Sequence, residues 1–359
     1  MRNGLNKIGR KAALLLPTLA LGLAIAPAAQ AQDADFMSAF DSTLGTKVSA
    51  PERFDAVYES GFEQQIAMAA DGTKGRIGVA AIDLSTGREI SILGDQRFPM
   101  ASTSKIAIAA TFMAGVDTGR WSLTSEFPLL RPVRSGKYSS ARAPVREGNF
   151  ISAREHLNLM ISKSCNACTD ALLRVVGGPS AVNRWMRGAG IRDFQLSRDI
   201  ATLVRDDGEF DPATVIDNRD SATPKAMARL LAGIYQGKWH STASRDVIVQ
   251  AMHNTTTGKN RMPSALPMSA NIAHKTGTLN RTASDIGIFQ TPDGRAIAVA
   301  IYVTGQSISN DHEKSNKRAA RRDRDARIAN ITRALYSGFA SEEGRNWTNA
   351  RYDRERTGG

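Results

Sequence analysis

A serine and a lysine three positions apart are the residues of this chain best suited to nucleophilic chemistry. Ser102 and Lys105 precede an apolar stretch at residues 106–113. Alone, such a spacing is usually a solvated helix start, but two turns without charge predict a buried helix. Residues i and i+3 share one helix face, so the lysine amine would reach the serine hydroxyl. Burial favours a neutral amine, which can take the hydroxyl proton.

Two further polar clusters occur downstream. Ser164-Cys165-Asn166 precedes a stretch with helical apolar spacing, and His274-Lys275-Thr276-Gly277-Thr278 begins a predicted strand. Serine and asparagine are ordinary helix caps, and threonine followed by glycine is an ordinary strand entry. Each cluster taken singly therefore indicates local structure, and the three clusters gain chemical meaning only from their order.

Ser-x-x-Lys, Ser-x-Asn and Lys-Thr-Gly in this order are the signature of penicillin-recognising serine enzymes, and the chain most resembles the class A β-lactamases. The likeness runs from about residue 54 to about residue 339. It includes the flanking segments Phe98-Pro99-Met100, Gly177-Gly178-Pro179-Ser180, Arg219-Asp220 and Pro224-Lys225-Ala226-Met227-Ala228. The resemblance implies a hydrolase that forms an acyl-enzyme, with β-lactam ring opening as its reaction.

The resemblance assigns the proton transfers to four side chains. Ser102 attacks the substrate carbonyl, and Lys105 takes or relays the serine proton. Ser164, together with Lys275, passes a proton to the leaving group. Acyl transfer requires these parts in addition to donors for the oxyanion.

The same resemblance implies a set of substrate-binding residues on the second and third motifs. Asn166 is expected to donate to a substrate amide carbonyl, and Lys275 and Thr276 to hold a substrate carboxylate. Gly277 separates these from Thr278, whose backbone N–H, with that of the nucleophile, is expected to form the oxyanion hole.

The residue that would hydrolyse the acyl-enzyme is not evident. Class A enzymes carry Arg-x-Glu-Pro-x-Leu-Asn below the serine, and that glutamate activates water, but this run is absent here. Alignment forward from Gly190 puts Ile200 at the glutamate position and lengthens the loop before Asp220. Alignment backward from Asp220 puts Asp207 there instead. The sequence leaves both alignments open.

Other positions also depart from the class A pattern. Cys165 replaces the usual aspartate of the second motif, and Asp170 stands where asparagine is usual. Cys165 and Cys168 could form a disulfide, remain buried small side chains or act in redox chemistry, although no thioredoxin-like context supports the last. The arginine beyond the third motif is missing at Ser284, and Arg281 is the candidate substitute.

The first 31 residues have the pattern of a secretory signal peptide. Four cations, Arg2, Lys7, Arg10 and Lys11, precede an apolar run at residues 12–26. A small-x-small cleavage site, Ala29-Gln30-Ala31, follows this run. We expect an exported protein, periplasmic or secreted, with no membrane span, whose formal charge falls from +12 to +8 when these four cations are removed. Residues 341–359 have little apolar content and predict a flexible basic tail.

The positive charge does not by itself indicate a polyanionic partner. Cations cluster in residues 314–327, but they alternate with Asp323 and Asp325 and continue into helical apolar spacing. This predicts a terminal helix with a solvated charged face. An aromatic content of 6% and the lack of any nucleic-acid motif argue against nucleic acid. The five scattered histidines predict neither a metal nor a cofactor, and we expect a monomer.

The strand and helix patterns predict a mixed α/β (α+β) fold for a catalytic domain of residues 50–340. Residues 54–68 have helical spacing, and residues 78–93 and 283–303 each predict a strand pair. We expect an antiparallel sheet flanked by helices, formed by about 50–103 and 260–340. An all-helical lobe, about 104–259, would be inserted between these segments, and the site would lie between the lobes.

Rival functions remain open at this level. Without a deacylation base the acyl-enzyme would be long-lived, as expected of a penicillin-binding DD-peptidase-like protein or of an esterase with poor β-lactam turnover. The basic face could instead belong to a non-catalytic peptidoglycan binder. The expected partner is therefore a small β-lactam or a peptidoglycan-like substrate.

Overall fold

A computed structural model describes Val48–Ser49 and residues 60–72 and 74–341. The predicted signal peptide, residues 54–59 of the predicted first helix and residues 342–359 of the tail lie outside the described residues. Every helix in the described part of the chain is too short or too polar to cross a bilayer.

The strands of the described residues form one large sheet and several two- or three-stranded ones. The large sheet is antiparallel throughout, in the order β10-β11-β12-β2-β3. In chain order the strands are β1 Val48–Ser49, β2 Ile77–Asp83, β3 Glu89–Ile92, β4 Phe98–Pro99, β5 Glu126–Pro132, β6 Val145–Ser152, β7 Phe194–Gln195, β8 Ile216–Asp217, β9 Ser221–Ala222, β10 Ala273–Leu279, β11 Thr282–Gln290 and β12 Ala296–Thr304.

The helices lie mostly between β3 and β10, with the remainder at the two ends of the described chain. They are α1 Gly61–Ala69, α2 Ser104–Asp117, α3 Ala153–Ser162, α4 Asn166–Val176, α5 Gly178–Gly188, α6 Ile200–Arg205, α7 Pro224–Tyr235, α8 Thr242–His253, α9 Met262–Ala265, α10 Asn310–Ser315 and α11 Lys317–Ala340.

Both faces of the large sheet are covered, because alternate residues of a strand point to opposite sides. On one face, Val79 and Ile301 cluster with Phe62 of α1 and Phe339 of α11. On the other face, α7 packs on β2 and β12, and the core continues from there into α2, which is buried on all sides. The predicted antiparallel sheet flanked by helices is confirmed, whereas the lobe boundaries stay a prediction.

The inserted lobe is not entirely helical, because β5 and β6 pair as an antiparallel hairpin within it. Sequence reasoning missed this hairpin because β6 buries none of its side chains. Without a buried face a strand shows no apolar alternation, which is the main sequence signal for a strand.

The basic terminal helix differs from the prediction at one cation. Arg324 is buried, and its Nη1 donates to Glu313 Oε2 at 3.0 Å and to the Gly305 carbonyl at 2.8 Å. Its neighbours Arg321 and Arg322 are exposed, as expected of a solvated face. Helical periodicity could not identify Arg324 as internal, because its partners lie outside the helix.

Gly338 of α11 tests the packing of this helix on α1. A Cβ at this position would lie 1.9 Å from Phe62 Cε2. Glycine to alanine in a helix interior normally stabilises by about 1 kcal/mol, but overpacking here should lower the free energy of unfolding by about 1–3 kcal/mol. Urea denaturation of Gly338→Ala measures the change. The exposed Ser337→Ala, one residue earlier, is the control and should shift stability by less than about 0.5 kcal/mol; equal effects of the two variants would contradict the packing described.

Candidate active site

Ser102 lies in a short 3-10 turn directly before α2, and its side chain is half-buried. The Thr103 hydroxyl holds this turn, since it donates to the Met100 carbonyl at 2.7 Å and lies 2.9 Å from the Tyr302 hydroxyl on β12. Ala101 has a φ of +50°, a conformation that a non-glycine residue adopts when its surroundings hold it. The turn therefore presents Ser102 at the start of a buried helix, as the sequence predicted.

Strand β10 passes close to this turn at Gly277. A Cβ at Gly277 would lie 2.7 Å from the Met100 carbonyl oxygen and 3.0 Å from Ala101 Cβ. Real Cβ atoms do not approach a backbone oxygen so closely, so only glycine allows the strand to lie here. Thr278 follows directly on the same strand, beside the turn that carries the nucleophile.

Two buried lysines share the Ser164 hydroxyl. Lys105 Nζ and Lys275 Nζ each lie 3.1 Å from Ser164 Oγ. Lys105 also donates to the Ser164 carbonyl at 2.8 Å and to Asn166 Oδ1 at 2.7 Å, and Lys275 donates to the Thr276 carbonyl at 2.9 Å. The structure thus brings together the first, second and third motifs around one hydroxyl.

The outer side of this cluster offers polar groups to solvent. Asn166 begins α4 and is exposed, so its amide NH₂ is accessible while its oxygen binds Lys105. Thr276 is buried, with its hydroxyl 2.6 Å from the Thr257 hydroxyl. The Asn166 amide is therefore the exposed donor beside Lys105, whereas the Thr276 hydroxyl is paired with Thr257.

Burial changes the protonation of both lysines. Desolvation lowers the pKa of Lys105 well below 10.5, the charge of Lys275 lowers it further, and Asp170 opposes the shift. Desolvation lowers the pKa of Lys275 to about 7, with Asp285 opposing and Arg261 adding to the shift. The neutral amine of Lys275 is therefore accessible near neutral pH, and burial favours the neutral amine of Lys105 as well; a neutral amine is the form that can act as a base.

The loop that follows β7 is closed by an ion pair. Arg198 Nε lies 2.6 Å from Asp220 Oδ2, and the backbone N–H groups of Ser197 and Arg198 donate to Asp220 Oδ1 at 2.8 and 3.0 Å. This pairing supports the forward alignment, in which Arg198 begins the family's loop motif. Ile200, buried at 2% exposure, then stands at the position of the family's glutamate.

Asp170 anchors this loop beneath Lys105. Its carboxylate accepts the backbone N–H groups of Ile200 at 2.7 Å and Ala201 at 2.9 Å, at the start of α6. Burial raises the pKa of Asp170 to about 6, while these N–H groups and the charge of Lys105 oppose the rise. Aspartate at this position therefore replaces an amide by a carboxylate that is coupled electrostatically to the candidate base.

Asp207 lies at the turn between β10 and β11. Both of its carboxylate oxygens accept the backbone N–H of Asn280, at 2.9 and 3.0 Å, and burial raises its pKa. Among the hydrogen bonds and ion pairs of the described residues, none joins Asp207 to Ser102 or Lys105. The role of Asp207 as deacylation base stays a prediction, without support from these contacts.

Arg261 is a candidate site residue that the sequence did not single out. Its Nη1 donates to the carbonyls of Gly277 and Ser284, both at 2.8 Å, and its Nη2 donates to Thr278 Oγ1 at 2.8 Å. Its Nε pairs with Asp325 Oδ1 at 2.7 Å. No local signal marks this arginine, since it reaches the third motif only through the fold.

Arg281, the substitute suggested by sequence, is bound elsewhere. It is buried and pairs with Asp211 at 3.0 Å and with Glu313 at 3.5 Å. The guanidinium beside the third motif is that of Arg261, and the role suggested for Arg281 stays a prediction without support from these contacts.

The two cysteines form a disulfide, Cys165–Cys168, with a Cα–Cα distance of 5.3 Å. Of the alternatives that the sequence left open, the structure thus contains the bridged one. Within the described residues there is no group of three or more His, Cys, Asp or Glu side chains arranged to hold a metal ion.

Amines with lowered pKa values on either side of the Ser164 hydroxyl can accept and return protons through it, and acyl transfer to a serine requires such proton transfers. With its sheet-and-helix fold, the chain is a penicillin-recognising serine enzyme.

The β-lactamase enzyme family matches residues 61–339, and the chain belongs to that family. Beta-lactamase VEB-1 of Pseudomonas aeruginosa is 28% identical over 237 residues, which are 64% of this chain and 77% of that one. A β-lactamase structure from Chitinophaga pinensis has a TM-score of 0.64 at 28% identity, covering 77% of this chain and 99% of that chain. An ancestral class A β-lactamase has a TM-score of 0.61 at 31% identity, covering 77% and 100%. The protein is a β-lactamase-like serine hydrolase.

The environment of Lys275 gives a direct test of the site. Because it is buried, we expect its amine to titrate at a pH of about 7 instead of 10.5. Asp285→Asn, which keeps an acceptor for His274 but removes the negative charge, should lower the pKa of Lys275 further. NMR titration of lysine-labelled protein measures both, with Lys275→Arg assigning the signal. Titration near 10.5 would show that Lys275 is not buried as described.

Proposed function

We propose that the protein is an exported β-lactamase in which Ser102 opens the β-lactam ring and the resulting acyl-enzyme is hydrolysed by water. The observation that carries the proposal is the Ser164 hydroxyl held between Lys105 and Lys275, at 3.1 Å from each amine. The family of the chain and the names of its relatives point to the same substrate class, and they favour a lactamase over a penicillin-binding protein or an esterase.

Acylation begins with proton transfer from Ser102 to Lys105. The lowered pKa of Lys105 makes its neutral form available, and the serine oxygen then attacks the lactam carbonyl carbon. The backbone N–H groups of Ser102 and Thr278 stabilise the oxyanion, as preorganised donors do in acyl transfer. The close approach of β10 at Gly277 supports this pairing of donors from two elements.

Ring opening needs a proton on the lactam nitrogen. As the carbon–nitrogen bond breaks, the Ser164 hydroxyl gives its proton to the nitrogen and takes one from the Lys105 ammonium, which restores neutral Lys105. Lys275, on the other side of the hydroxyl, lowers the pKa of Lys105 by its charge. The net result is the transfer of one proton from Ser102 to the leaving nitrogen, with Lys105 and Ser164 returned to their starting protonation states.

Substrate binding uses the outer residues of the site. Asn166 donates its exposed amide NH₂ to a substrate amide carbonyl. Lys275 and Thr276 hold the substrate carboxylate, and Arg261 adds its charge through Thr278. An anionic substrate of this kind raises the protonated fraction of Lys275 when it binds, because an opposite charge favours the ammonium.

Export is part of the proposal. The N-terminal residues have the pattern of a signal peptide, and a disulfide is typical of proteins that leave the reducing cytoplasm. A periplasmic or secreted location is also where β-lactams are encountered before they reach their targets.

Intact-mass measurement tests the proposed reaction. Mixing the purified protein with benzylpenicillin should give an adduct of the mass of one penicillin, which then clears as the product is released over repeated turnovers. Ser102→Ala should show no adduct, because the nucleophilic oxygen is gone. If the unaltered protein shows no adduct and also consumes no penicillin at a saturating concentration, the proposed function is refuted.

Ile200 is expected to make deacylation slow. A carboxylate that activates water typically contributes about 10²–10⁴-fold in rate, and Ile200 occupies the place where the family has its glutamate. Ile200→Glu should therefore shorten the lifetime of the penicillin adduct at least tenfold, measured by the same mass assay. Ile200→Gln is the matched control, because glutamine has the size of glutamate but cannot act as a base, and it should leave the lifetime of the penicillin adduct unchanged. A shortened lifetime in both variants would mean that polarity alone admits water.

Asp207→Asn tests the alternative base. The hydrogen bonds to Asn280 account for both carboxylate oxygens, so we expect the adduct lifetime to change less than about twofold, against the 10²–10⁴-fold effect of a lost general base. A hundredfold longer lifetime would instead make Asp207 the base, as the backward alignment predicted.

A further inference from the structure

The Cys165–Cys168 disulfide lies inside the second catalytic motif. Cys165 stands between Ser164 and Asn166, and Cys168 is in the first turn of α4. Cys168 is fully buried within the hydrophobic core that surrounds α2. The disulfide therefore ties a segment at the edge of the site to the core of the helical lobe.

The two neighbours of Cys165 supply the acceptors for the Lys105 amine. These are the Ser164 carbonyl at 2.8 Å, the Ser164 hydroxyl at 3.1 Å and Asn166 Oδ1 at 2.7 Å. A shift of Cys165 would move all three oxygens at once. The position of this one residue thus bears on both the proposed base and the proposed proton donor.

The backbone of this segment needs a restraint. Ser164 has a φ of +57°, in the left-handed region that non-glycine residues adopt only when their surroundings hold them. Cys165 is the N-cap of α4, and its sulfur accepts the Cys168 N–H at 3.1 Å. Sulfur is a weak acceptor, whereas the aspartate usual in the family would be a strong N-cap. The covalent bond stands where that cap would be.

Other contacts hold the backbone of Cys165 as well. Its N–H donates to the Leu159 carbonyl at 3.1 Å, and its carbonyl accepts from the Thr169 hydroxyl at 2.7 Å. Loss of the disulfide should therefore loosen the segment without unfolding the helical lobe.

We propose that the Cys165–Cys168 disulfide is a positioning element for Ser164 and Asn166, in place of the aspartate cap, so that its reduction slows acylation of Ser102. The catalytic part of this inference rests on the proposed function. Reduction by dithiothreitol breaks the sulfur–sulfur bond and gives two thiols, while the two thiols of the reductant become a cyclic disulfide; two electrons and two protons pass to the protein.

The test compares the oxidised protein with protein reduced by dithiothreitol and desalted under argon. Amide hydrogen exchange in a peptide spanning residues 160–172 should become at least fivefold faster after reduction, while thermal unfolding stays cooperative. The rate of labelling by benzylpenicillin should fall at least tenfold, of the order expected when a proton-transfer group is misplaced.

Paired variants separate positioning from general stability. Cys165→Ala with Cys168→Ala should resemble the reduced protein, and dithiothreitol should no longer affect it. Cys165→Asp with Cys168→Ala restores an oxygen cap without a disulfide, and it should recover slow exchange and at least half of the oxidised labelling rate. Recovery by the carboxylate is not expected if the disulfide only adds global stability.

Each outcome decides the matter. Unchanged exchange after reduction would overturn the inference, because the disulfide would not hold the segment. Faster amide exchange with an unchanged rate of penicillin labelling would also overturn it. The same holds if the Cys165→Asp, Cys168→Ala variant recovers neither slow exchange nor the labelling rate. If the oxidised protein is not labelled at all, the proposed function fails, and exchange in the reduced and aspartate forms still decides whether the disulfide positions the segment.

Discussion

The site depends on keeping two amines out of water around one hydroxyl. An ammonium group is costly to bury unless oxygen atoms replace its hydration shell, and two neighbouring ammonium groups also repel each other. Lys105 and Lys275 are both fully buried, and among the described residues their acceptors are carbonyl, hydroxyl and amide oxygens, with none from a carboxylate. The result is a pair of bases with lowered pKa values, which is the electrostatic condition for activating a serine.

The groups of the site come from three different elements of the fold. The nucleophile and the first lysine belong to the start of α2, the shared hydroxyl to the turn before α4, and the second lysine to β10. Because these elements belong to the sheet and to the helices inserted between its strands, the groups come together only where the sheet contacts those helices. Gly277 allows the sheet to approach the turn of Ser102, and Arg261 supports the same strand through its carbonyls. The close approach of β10 to this turn thus depends on the missing side chain of Gly277 and on the hydrogen bonds from the Arg261 guanidinium.

The loop below the serine bears on hydrolysis of the acyl-enzyme and not on its formation. The groups of the three motifs meet at Ser164, whereas the forward alignment puts Ile200 where the family has its carboxylate. Asp170, an acid coupled to Lys105, accepts the N–H groups that begin α6. Spacing alone allowed two alignments of this loop. The Arg198–Asp220 ion pair supports the forward alignment, and because it joins residues 22 positions apart, no local pattern reports it. Asp207 lies at the β10–β11 turn, where its carboxylate accepts the Asn280 N–H.

The sequence by itself determined the sheet strands, the buried helix after Ser102, the three motifs and their order, because apolar periodicity and short spacings are local properties that survive in almost any context. It could not show the β5–β6 hairpin, whose second strand buries none of its side chains, or the internal position of Arg324. The tertiary structure decided which arginine reaches the third motif, which acid binds which backbone group and whether the cysteines are joined. The arginine and acid contacts depend on distances between residues far apart in the chain, which exist only after folding, whereas the cysteines are three residues apart and their pairing depends on the local backbone at the start of α4.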